Sequence, residues 1–292
     1  MKRFLLKVLV ISICLITIIS LMACESKKVK VVEIGLSEEK ICVAVKKDNG
    51  LLASVNQFLT AKKNDINEII DKFMDASEHQ LNSYVHTDIT INPTDTTNMN
   101  SQLGVLVNFD YKPFEYSINR DDLSAGVGGI DIEIALLLAD YLDMDLVIYT
   151  VEYDDLFIDL SNTATFDIAL SAITATAERA TLVDFSNPYF ESEQKIITRK
   201  DCKLFNDCET AADVEKVLAE LSGPDANCGA QDGTTAEDYL EGTMTAQSKF
   251  KNLNCTSYTR INEAMDALVN KEITFIVVDG PTAEALVNQY NK

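Results

Sequence analysis

Residues 166–190, FDIALSAITATAERATLVDFSNPYF, combine an apolar run, a turn rich in Ser and Thr, and one basic residue, Arg179. A guanidinium group offers paired N–H donors that match both oxygens of a carboxylate. Small hydroxyl side chains beside it can add donors to the same anion. This stretch therefore predicts a carboxylate-binding site at the end of a buried strand.

Strand and helix patterns alternate along most of the chain, which predicts α/β sheets with helices on both faces. At 292 residues, the chain is long enough for two medium domains. The predicted strands are 41–46, 104–107, 146–151, 167–170, 228–231, 254–258 and 273–278. The predicted helices are 51–60, 66–75, 131–142, 212–221, 262–269 and 282–289.

From residue 103 onward, seven segments occur in a recognisable order: VLVNFDYKPFEY, GIDIEIALLLADYL, YD, SAITATAER, EQKIITRK, QDGTT and FIVVDGPTAEAL. This order resembles the amino-acid-binding proteins of ABC importers, the extracellular solute-binding protein family 3. The resemblance implies a two-lobed, periplasmic-binding-protein-like (type II) fold. Each lobe is then a sheet flanked by helices, and two hinge strands join the lobes.

The resemblance implies partners for the charged groups of a free L-amino acid. Arg179 matches the family's carboxylate-binding arginine, and Thr174 and Thr235 add hydroxyl or backbone donors. Asp279, at the end of an apolar strand, matches the ammonium partner, and the carbonyl of Ala172 aligns with a backbone contact. Ser171, in the same turn as Ala172, completes this set.

Three aromatic residues, Tyr111, Phe114 and Tyr153, are candidates for the walls around the ligand side chain. Aromatic rings at such positions can sandwich a flat or cationic group. Each of them can equally be a core residue, Phe114 most easily. We therefore expect an aromatic pocket with up to three walls.

The polar side-chain contacts predict only a broad ligand class. Asn108 stands where the family often has Asp, which removes one charge from the pocket, although Asp110 and Glu115 follow closely in sequence. Gln231 is a further polar candidate. We expect a polar amino acid whose side chain is uncharged or cationic.

The order of the segments predicts a circular permutation. Family members continue after their last helix with a strand that returns to the first lobe and two more helices, and residues 31–77 resemble that tail. Residues 78–100, polar and weakly periodic, are then a linker. Alternatively, 31–77 is an unrelated N-terminal module. With permutation, the predicted parts are lobe one (46–199), lobe two (30–42 plus 201–292), a tether (24–29) and a signal peptide (1–23).

The N-terminus predicts export. A basic start is followed by the apolar run 8–23, too short to span a membrane with these flanks, and then by Cys24. The sequence LMAC resembles a bacterial lipobox, which implies acylation of Cys24 and an extracytoplasmic protein anchored to the membrane. The alternative is a plain signal peptide with a chance cysteine.

The composition of the chain limits the classes of ligand and partner that it can bind. The net charge of −21 argues against nucleic acid, since such partners need basic patches. With two His in the chain and no zinc-like cysteine spacing, we expect no metal and no other cofactor. We expect a monomer that binds ABC permease subunits.

Two cysteine pairs, Cys228 with Cys255 and Cys202 with Cys208, are candidates for disulfides, and the sequence does not distinguish between them.

Two other function classes remain open. Some relatives of the family are dehydratases that act on cyclic carboxylates, and such a site needs a general acid, for which Glu115 and Asp110 are candidates. The third class is a ligand-sensing partner of a receptor. Binding without turnover is the favoured prediction, because no His or Lys joins these acids in the motifs.

Overall fold

The computed structural model describes residues 28–94, 101–242 and 250–292. Its strands are β1 (Val29–Val32), β2 (Glu38–Ile41), β3 (Ala44–Val45), β4 (Thr90–Ile91), β5 (Gln102–Val107), β6 (Tyr116–Ser117), β7 (Val127–Gly128), β8 (Asp145–Thr150), β9 (Ile168–Ala169), β10 (Asp184–Phe185), β11 (Phe190–Arg199), β12 (Asn227–Gln231), β13 (Asn254–Tyr258) and β14 (Phe275–Asp279). Its α-helices are α1 (Leu52–Ala61), α2 (Lys63–Met74), α3 (Glu78–Leu81), α4 (Ile130–Leu142), α5 (Leu156–Asn162), α6 (Ala211–Glu220), α7 (Thr235–Glu241), α8 (Ile261–Val269) and α9 (Gly280–Tyr290).

The first sheet has the strand order β10-β3-β9-β5-β8-β4. Its central strand β5 pairs in parallel with β8 and β9, and Leu103 and Val105–Val107 are buried. Apolar side chains in succession suit a strand that is covered on both faces. One core cluster joins this sheet to helices α1, α2 and α4.

The second sheet has the order β1-β11-β14-β12-β13, with β2 paired to the other end of β11. Strand β12 runs parallel to both β13 and β14, whereas β11 is antiparallel to β1, β2 and β14. Every residue of β14 is buried. The sheet packs helices α6 and α7 on one face and α8 and α9 on the other.

Residues 29–45 contribute to both sheets. Strands β1 and β2 pair with β11, and β3 pairs with β9 and β10 in the first sheet. The helices that follow, α1 and α2, bury Phe58 and Phe73 in the core of the first sheet. The N-terminal segment is therefore built into both halves of the molecule, and it is not a separate module.

The first and last described residues lie side by side. The backbone N–H of Lys28 donates to Oδ1 of Asn291 at 2.6 Å, and Nδ2 of Asn291 donates to the carbonyl of Val29 at 2.9 Å. Nearby, the side chains of Lys292 and Glu78 form an ion pair. These contacts hold β1 against the end of α9.

Residues 78–100 were predicted to be a linker, but their described part, residues 78–94, contains α3 and β4. Ser77 and Gln80 form a capping box that starts α3, a local arrangement that satisfies free backbone N–H groups. Tyr116 donates its hydroxyl to the carbonyl of Leu81, and β4 adds to the edge of the first sheet beside β8. Residues 95–100 lie outside the described residues.

The described residues bear on three further features: membrane spans, metal sites and cysteines. No described helix is long and apolar enough to cross a membrane, and no cluster of metal-ligating side chains occurs among the described residues. Residues 1–27, which contain the predicted signal and Cys24, lie outside that range. The five described cysteines carry free thiols, and Cys228 and Cys255 are directly opposed in register.

We predict that truncating Phe73 destabilises the whole protein. Phe73 is 1% exposed, so Phe73→Ala leaves a cavity in the core and should lower the free energy of unfolding by about 3–5 kcal/mol. Denaturant unfolding followed by circular dichroism measures this loss. The control is Asn64→Ala on the exposed side of the same helix, which should change stability little. A small loss for Phe73→Ala would show that α2 is peripheral.

Candidate functional site

Polar side chains from both sheets converge on one narrow cavity. Strands β12 and β14 end there at Gln231 and Asp279, and the chain enters it just after β5 at Asn108. In open α/β sheets, ligands bind outside the carboxyl ends of the strands. The lining residues are Asn108, Tyr111, Glu115, Tyr153, Ser171, Ala172, Thr174, Gln231, Thr234, Thr235 and Asp279.

Arg179 borders the cavity from a short 3₁₀ turn. Its guanidinium donates to the carbonyl of Thr174 at 2.7 Å and, across the cleft, to the carbonyl of Gly233 at 2.9 Å. The group lies over the rings of Phe157 and Tyr153, 4.7 and 5.6 Å from their centroids. A guanidinium has five N–H donors, so donors remain for an anion.

Asp279 stands opposite, at the end of β14. The hydroxyl of Tyr111 donates to its Oδ2 at 2.7 Å, while Oδ1 is buried without a hydrogen-bond partner. Burial, and secondarily the nearby carboxylate of Glu39, raises the pKa of Asp279 to about 7, although Tyr111 and Arg179 counteract the rise. Asp279 therefore has one oxygen ready to accept from a cationic donor.

Glu115 is the second acid of the cavity. It is 1% exposed, and its Oε2 also has no hydrogen-bond partner. Burial, followed by the charges of Asp131 and Asp279, raises the pKa of Glu115 well above its usual range. The cavity thus offers two carboxyl groups and faces one arginine.

Asn108 and Gln231 bridge the cleft. Nε2 of Gln231 donates to Oδ1 of Asn108 at 3.0 Å, and Nδ2 of Asn108 donates to the carbonyl of Val151 at 2.7 Å. Both side chains are buried. This bond and the Tyr111–Asp279 bond join the two sheets across the cavity, whose volume is only about 10 Å³, so the cleft must open and a ligand must displace these bonds.

Thr235 begins α7, and its hydroxyl is engaged. It donates to Oε2 of Glu39 at 3.1 Å and accepts from Nε2 of Gln194 at 2.9 Å. The backbone N–H of Thr235, in the first turn of the helix, remains suited to an anion. Glu39 itself comes from β2 and is fully buried, a residue that the sequence reasoning did not find.

The turn before α7 needs a glycine. Gly233 has φ +72°, and a Cβ there would lie 2.8 Å from the Cα of Asp154. Glycine adopts this conformation at no steric cost, and it allows the close backbone approach. The turn of the second sheet therefore comes within reach of Arg179 on the first.

Nine of the predicted ligand residues line the cavity, and Arg179 borders it. Phe114 does not: it is fully buried in the core, with its ring 5.7 Å from that of Phe190. Asp110 accepts from Nη1 of Arg120 at 2.9 Å and is not a lining residue. Glu115, two residues after the proline of the same turn, is the acid that faces the cavity.

A larger cavity of about 650 Å³ lies behind β2 and β11, beside the start of α9. Its charged lining consists of five glutamates and two lysines, Glu38, Glu39, Glu191, Glu193, Glu284, Lys40 and Lys195. It contains no arginine and no convergent set of donors from both sheets. Size alone does not make it the ligand site, since ligand sites combine enclosure with a few well-placed polar groups.

Two sheets that face each other across a cleft of convergent polar groups define a two-lobed binding protein of the periplasmic-binding-protein type II class. The chain belongs to the bacterial extracellular solute-binding proteins, family 3, whose model matches residues 103–291. Holo ArgBP from T. maritima is similar in structure, with a TM-score of 0.54 at 26% identity over 65% of this chain and 74% of that chain.

Two curated proteins are similar in sequence. ABC transporter arginine-binding protein 1 of Escherichia coli (strain K12) is 26% identical over 64% of this chain and 65% of its own length. Cyclohexadienyl dehydratase of Pseudomonas aeruginosa is 34% identical over 33% of this chain and 35% of its own. The matched stretch thus spans less than two thirds of either relative.

We predict that Asp279→Asn stabilises the protein at pH 8. Because the pKa of Asp279 is raised from 3.8 to about 7, the unfolded chain loses its proton first as pH rises from about 4 to 7, and the free energy of unfolding falls. The full shift corresponds to about 4 kcal/mol as an upper value. Thermal unfolding should show a gain for Asp279→Asn at pH 8 that shrinks towards pH 4.

The exposed Asp121→Asn is the matched control, and surface changes of this kind typically alter stability little. Equal stability of Asp279→Asn and the unsubstituted protein at pH 8 would contradict the strained burial of this carboxyl group.

Proposed function

We propose that this protein captures a free basic L-amino acid between its two sheets and delivers it to an ABC importer. The observation that carries the proposal is the arrangement of charge in the cavity. One arginine lies at one end, and two carboxyl groups with unpartnered oxygens, Glu115 and Asp279, lie at the other. A basic amino acid carries the complementary set of one anion and two cations.

The ligand carboxylate is assigned to Arg179 and the start of α7. Arg179 is 7% exposed and already faces Gly233 across the cleft. The backbone N–H of Thr235 adds a helix N-terminus, which favours negative charge. Thr174 adds a donor from the first sheet, whereas Ser171 supports the site from behind: its hydroxyl accepts from the backbone N–H of Asn108 at 2.7 Å and hydrogen-bonds to Glu115.

The two cationic groups of the ligand are assigned to the acids. The α-ammonium meets Oδ1 of Asp279, with the carbonyl of Ala172 as a second acceptor. The side-chain cation meets Glu115, and Tyr111 and Tyr153 supply aromatic faces beside it. Arginine-binding relatives in sequence and structure support this ligand class, and the assignment narrows the polar or cationic class expected from the sequence.

Binding is coupled to closure of the cleft. Arg179, Glu115 and the aromatic residues belong to the first sheet, whereas Thr235 and Asp279 belong to the second. A ligand that contacts both sets shifts the population towards the closed form. The chain passes between the sheets at residues 42–43, between β2 and β3, and at residues 186–189, between β10 and β11, and these two crossings are the hinge.

We predict that Arg179→Ala abolishes measurable binding. Loss of a buried cation partner leaves the ligand carboxylate unpaired and costs about 3–5 kcal/mol, a loss of more than about 100-fold in affinity. Isothermal titration calorimetry of the mature chain with L-arginine, L-lysine, L-histidine and L-glutamine measures this loss of affinity.

Arg199→Ala is the control, because Arg199 also donates to backbone carbonyls, those of Leu268 and Ile273, but away from the cavity. It should lower stability and retain affinity. Retained affinity in Arg179→Ala would refute the carboxylate assignment.

We further propose that the chain is a circular permutant of its family. The support is spatial: residues 29–45 pair with both sheets, α1 and α2 cover the first sheet, and Lys28 contacts Asn291. The predicted division into lobe one (46–199) and lobe two (30–42 plus 201–292) is wrong for β11 (Phe190–Arg199), because this strand pairs with β1, β2 and β14 in the second sheet. Adjacent termini are the condition under which permutation leaves a fold intact.

A rearranged chain tests the permutation. Residues 101–292 followed by a short Gly/Ser linker and residues 28–94 should fold and bind the same amino acid with unchanged affinity, because the joint replaces an existing contact. Calorimetry and thermal unfolding compare it with the natural order. A rearranged chain that is soluble but lacks a cooperative transition would argue against the permutation.

A dehydratase-like enzyme is the second candidate function. Similarity to cyclohexadienyl dehydratase over part of the chain and a buried Glu115 with a raised pKa favour it, because a neutral carboxyl can act as a general acid. A thermal-shift screen with amino acids and cyclic carboxylates separates the two. Product formed from a cyclic acid would support the enzyme.

Cellular placement follows the same proposal. Acylation of Cys24 anchors the protein outside the cytoplasm, through residues 24–29 and close to lobe two. The protein acts as a monomer that binds permease subunits.

The pair Cys228 and Cys255, opposed in register on neighbouring strands, is the favoured disulfide under oxidising conditions. No contact between Cys202 and Cys208 supports the other pair.

A further inference from the structure

Glu115 does not stand alone at the base of the cavity. Asp131, in the first turn of α4, lies beside it: the backbone N–H of Asp131 donates to the carbonyl of Phe114, the residue before Glu115, at 2.9 Å, and the carboxyl group of Asp131 raises the pKa of Glu115. Asp131 is fully buried. It accepts from the backbone N–H of Ala172 at 2.8 Å and from the hydroxyl of Tyr189 at 2.6 Å. Two buried carboxyl groups therefore share one small polar pocket.

No described cation neutralises this pair. Among the residues that the structure describes, no Lys, Arg or His forms an ion pair with Glu115 or Asp131. Two like charges in contact and out of water are strongly unfavourable, and such a pair keeps one proton. The two groups then titrate together.

The surroundings of the pair favour the proton on Glu115. Asp131 accepts two hydrogen bonds that stabilise its anion. Glu115 has one such partner, the side chain of Ser171, which lowers its pKa, and its Oε2 has none. The titratable groups that interact with Glu115 besides Asp131 are Asp279, Tyr153 and Tyr189, which come from separate parts of the chain. None of them is cationic.

Glu115 is also the member of the pair that a ligand can reach. It lines the cavity with its buried, unpartnered oxygen, whereas Asp131 does not line it. A cationic ligand group beside Glu115 stabilises the carboxylate form and makes the proton unnecessary. A neutral group of the same shape has no such effect and leaves the proton where it is.

We propose that the site exchanges one proton for the cationic side chain of its ligand. Glu115 and Asp131 hold a shared proton, and this proton passes to solvent when a basic amino acid binds. The inference rests on the proposed amino-acid binding and adds a basis for selectivity. The pair does not select ligands by shape. It favours a cationic side chain, and this preference increases with pH because the shared proton is then lost more easily.

Proton release can be counted directly. Calorimetry with L-arginine in buffers of different ionisation enthalpy should show net release near pH 7, and affinity should rise with pH by about tenfold per unit for each proton released. The neutral analogue L-citrulline should release fewer protons. Release without any difference between arginine and citrulline would overturn the inference.

Glu115→Gln isolates this proton from any released by Asp279. The variant keeps the shape of the side chain and has no proton to lose, so arginine should release about one proton fewer than in the unsubstituted protein. Affinity for arginine should fall, and affinity for citrulline should change less. Equal proton release in both proteins would overturn the inference and leave the proposed function intact.

Asp131→Asn provides a second test that does not depend on the folding of Glu115→Gln. Without the neighbouring acid, Glu115 ionises more easily, and arginine should again release fewer protons. Unchanged release would contradict the shared proton. A protein that binds no amino acid at all in a thermal-shift screen would overturn the proposed function itself, a result distinct from binding without proton release.

Discussion

Backbone pairing by residues 29–45 is the interaction on which the rest of this structure depends. Strands β1 and β2 hold the second sheet along β11, and β3 fills the first sheet between β9 and β10. Every ladder bond satisfies a buried polar group that would otherwise be costly. The segment thereby connects the sheets, sets the position of the hinge and carries Glu39 to the edge of the cavity.

The cleft that results concentrates buried acids. Glu39, Glu115, Asp131 and Asp279 are all buried around one arginine. Burial of carboxyl groups without cations opposes folding, and proteins tolerate such groups where binding needs them. The raised pKa values of Glu115 and Asp279 express this cost. A ligand with two cationic groups relieves it, so binding energy and local strain arise from the same residues.

The charge of the whole molecule acts in the same direction. A net charge of −21 produces a field that attracts cations towards the cleft, an effect that weakens with salt. Selectivity nevertheless depends on the few acids inside, because their charges are screened least. In the proposed function, Arg179 orients the ligand by binding its carboxylate.

The alternation of strands and helices and the strand Asn254–Tyr258 could be predicted from the sequence alone, and the family motifs gave the roles expected of Arg179 and Asp279. These features are local: they depend on periodicity and on motifs within a few residues. In residues 78–94, the capping box of Ser77 and Gln80 is a local signal that the sequence reasoning overlooked, whereas β4 could not be predicted locally because it depends on pairing with β8.

Which polar groups come into contact depends on the tertiary structure and could not be predicted from local sequence. Tyr111 and Asp279 are 168 residues apart, and Thr235 and Glu39 are 196 apart. The tertiary structure also directed Phe114 into the core and Glu115, its neighbour in sequence, into the cavity beside Asp131. The physical reason is that burial and charge are set by long-range packing of strands, and one residue along an extended chain turns a side chain to the opposite face.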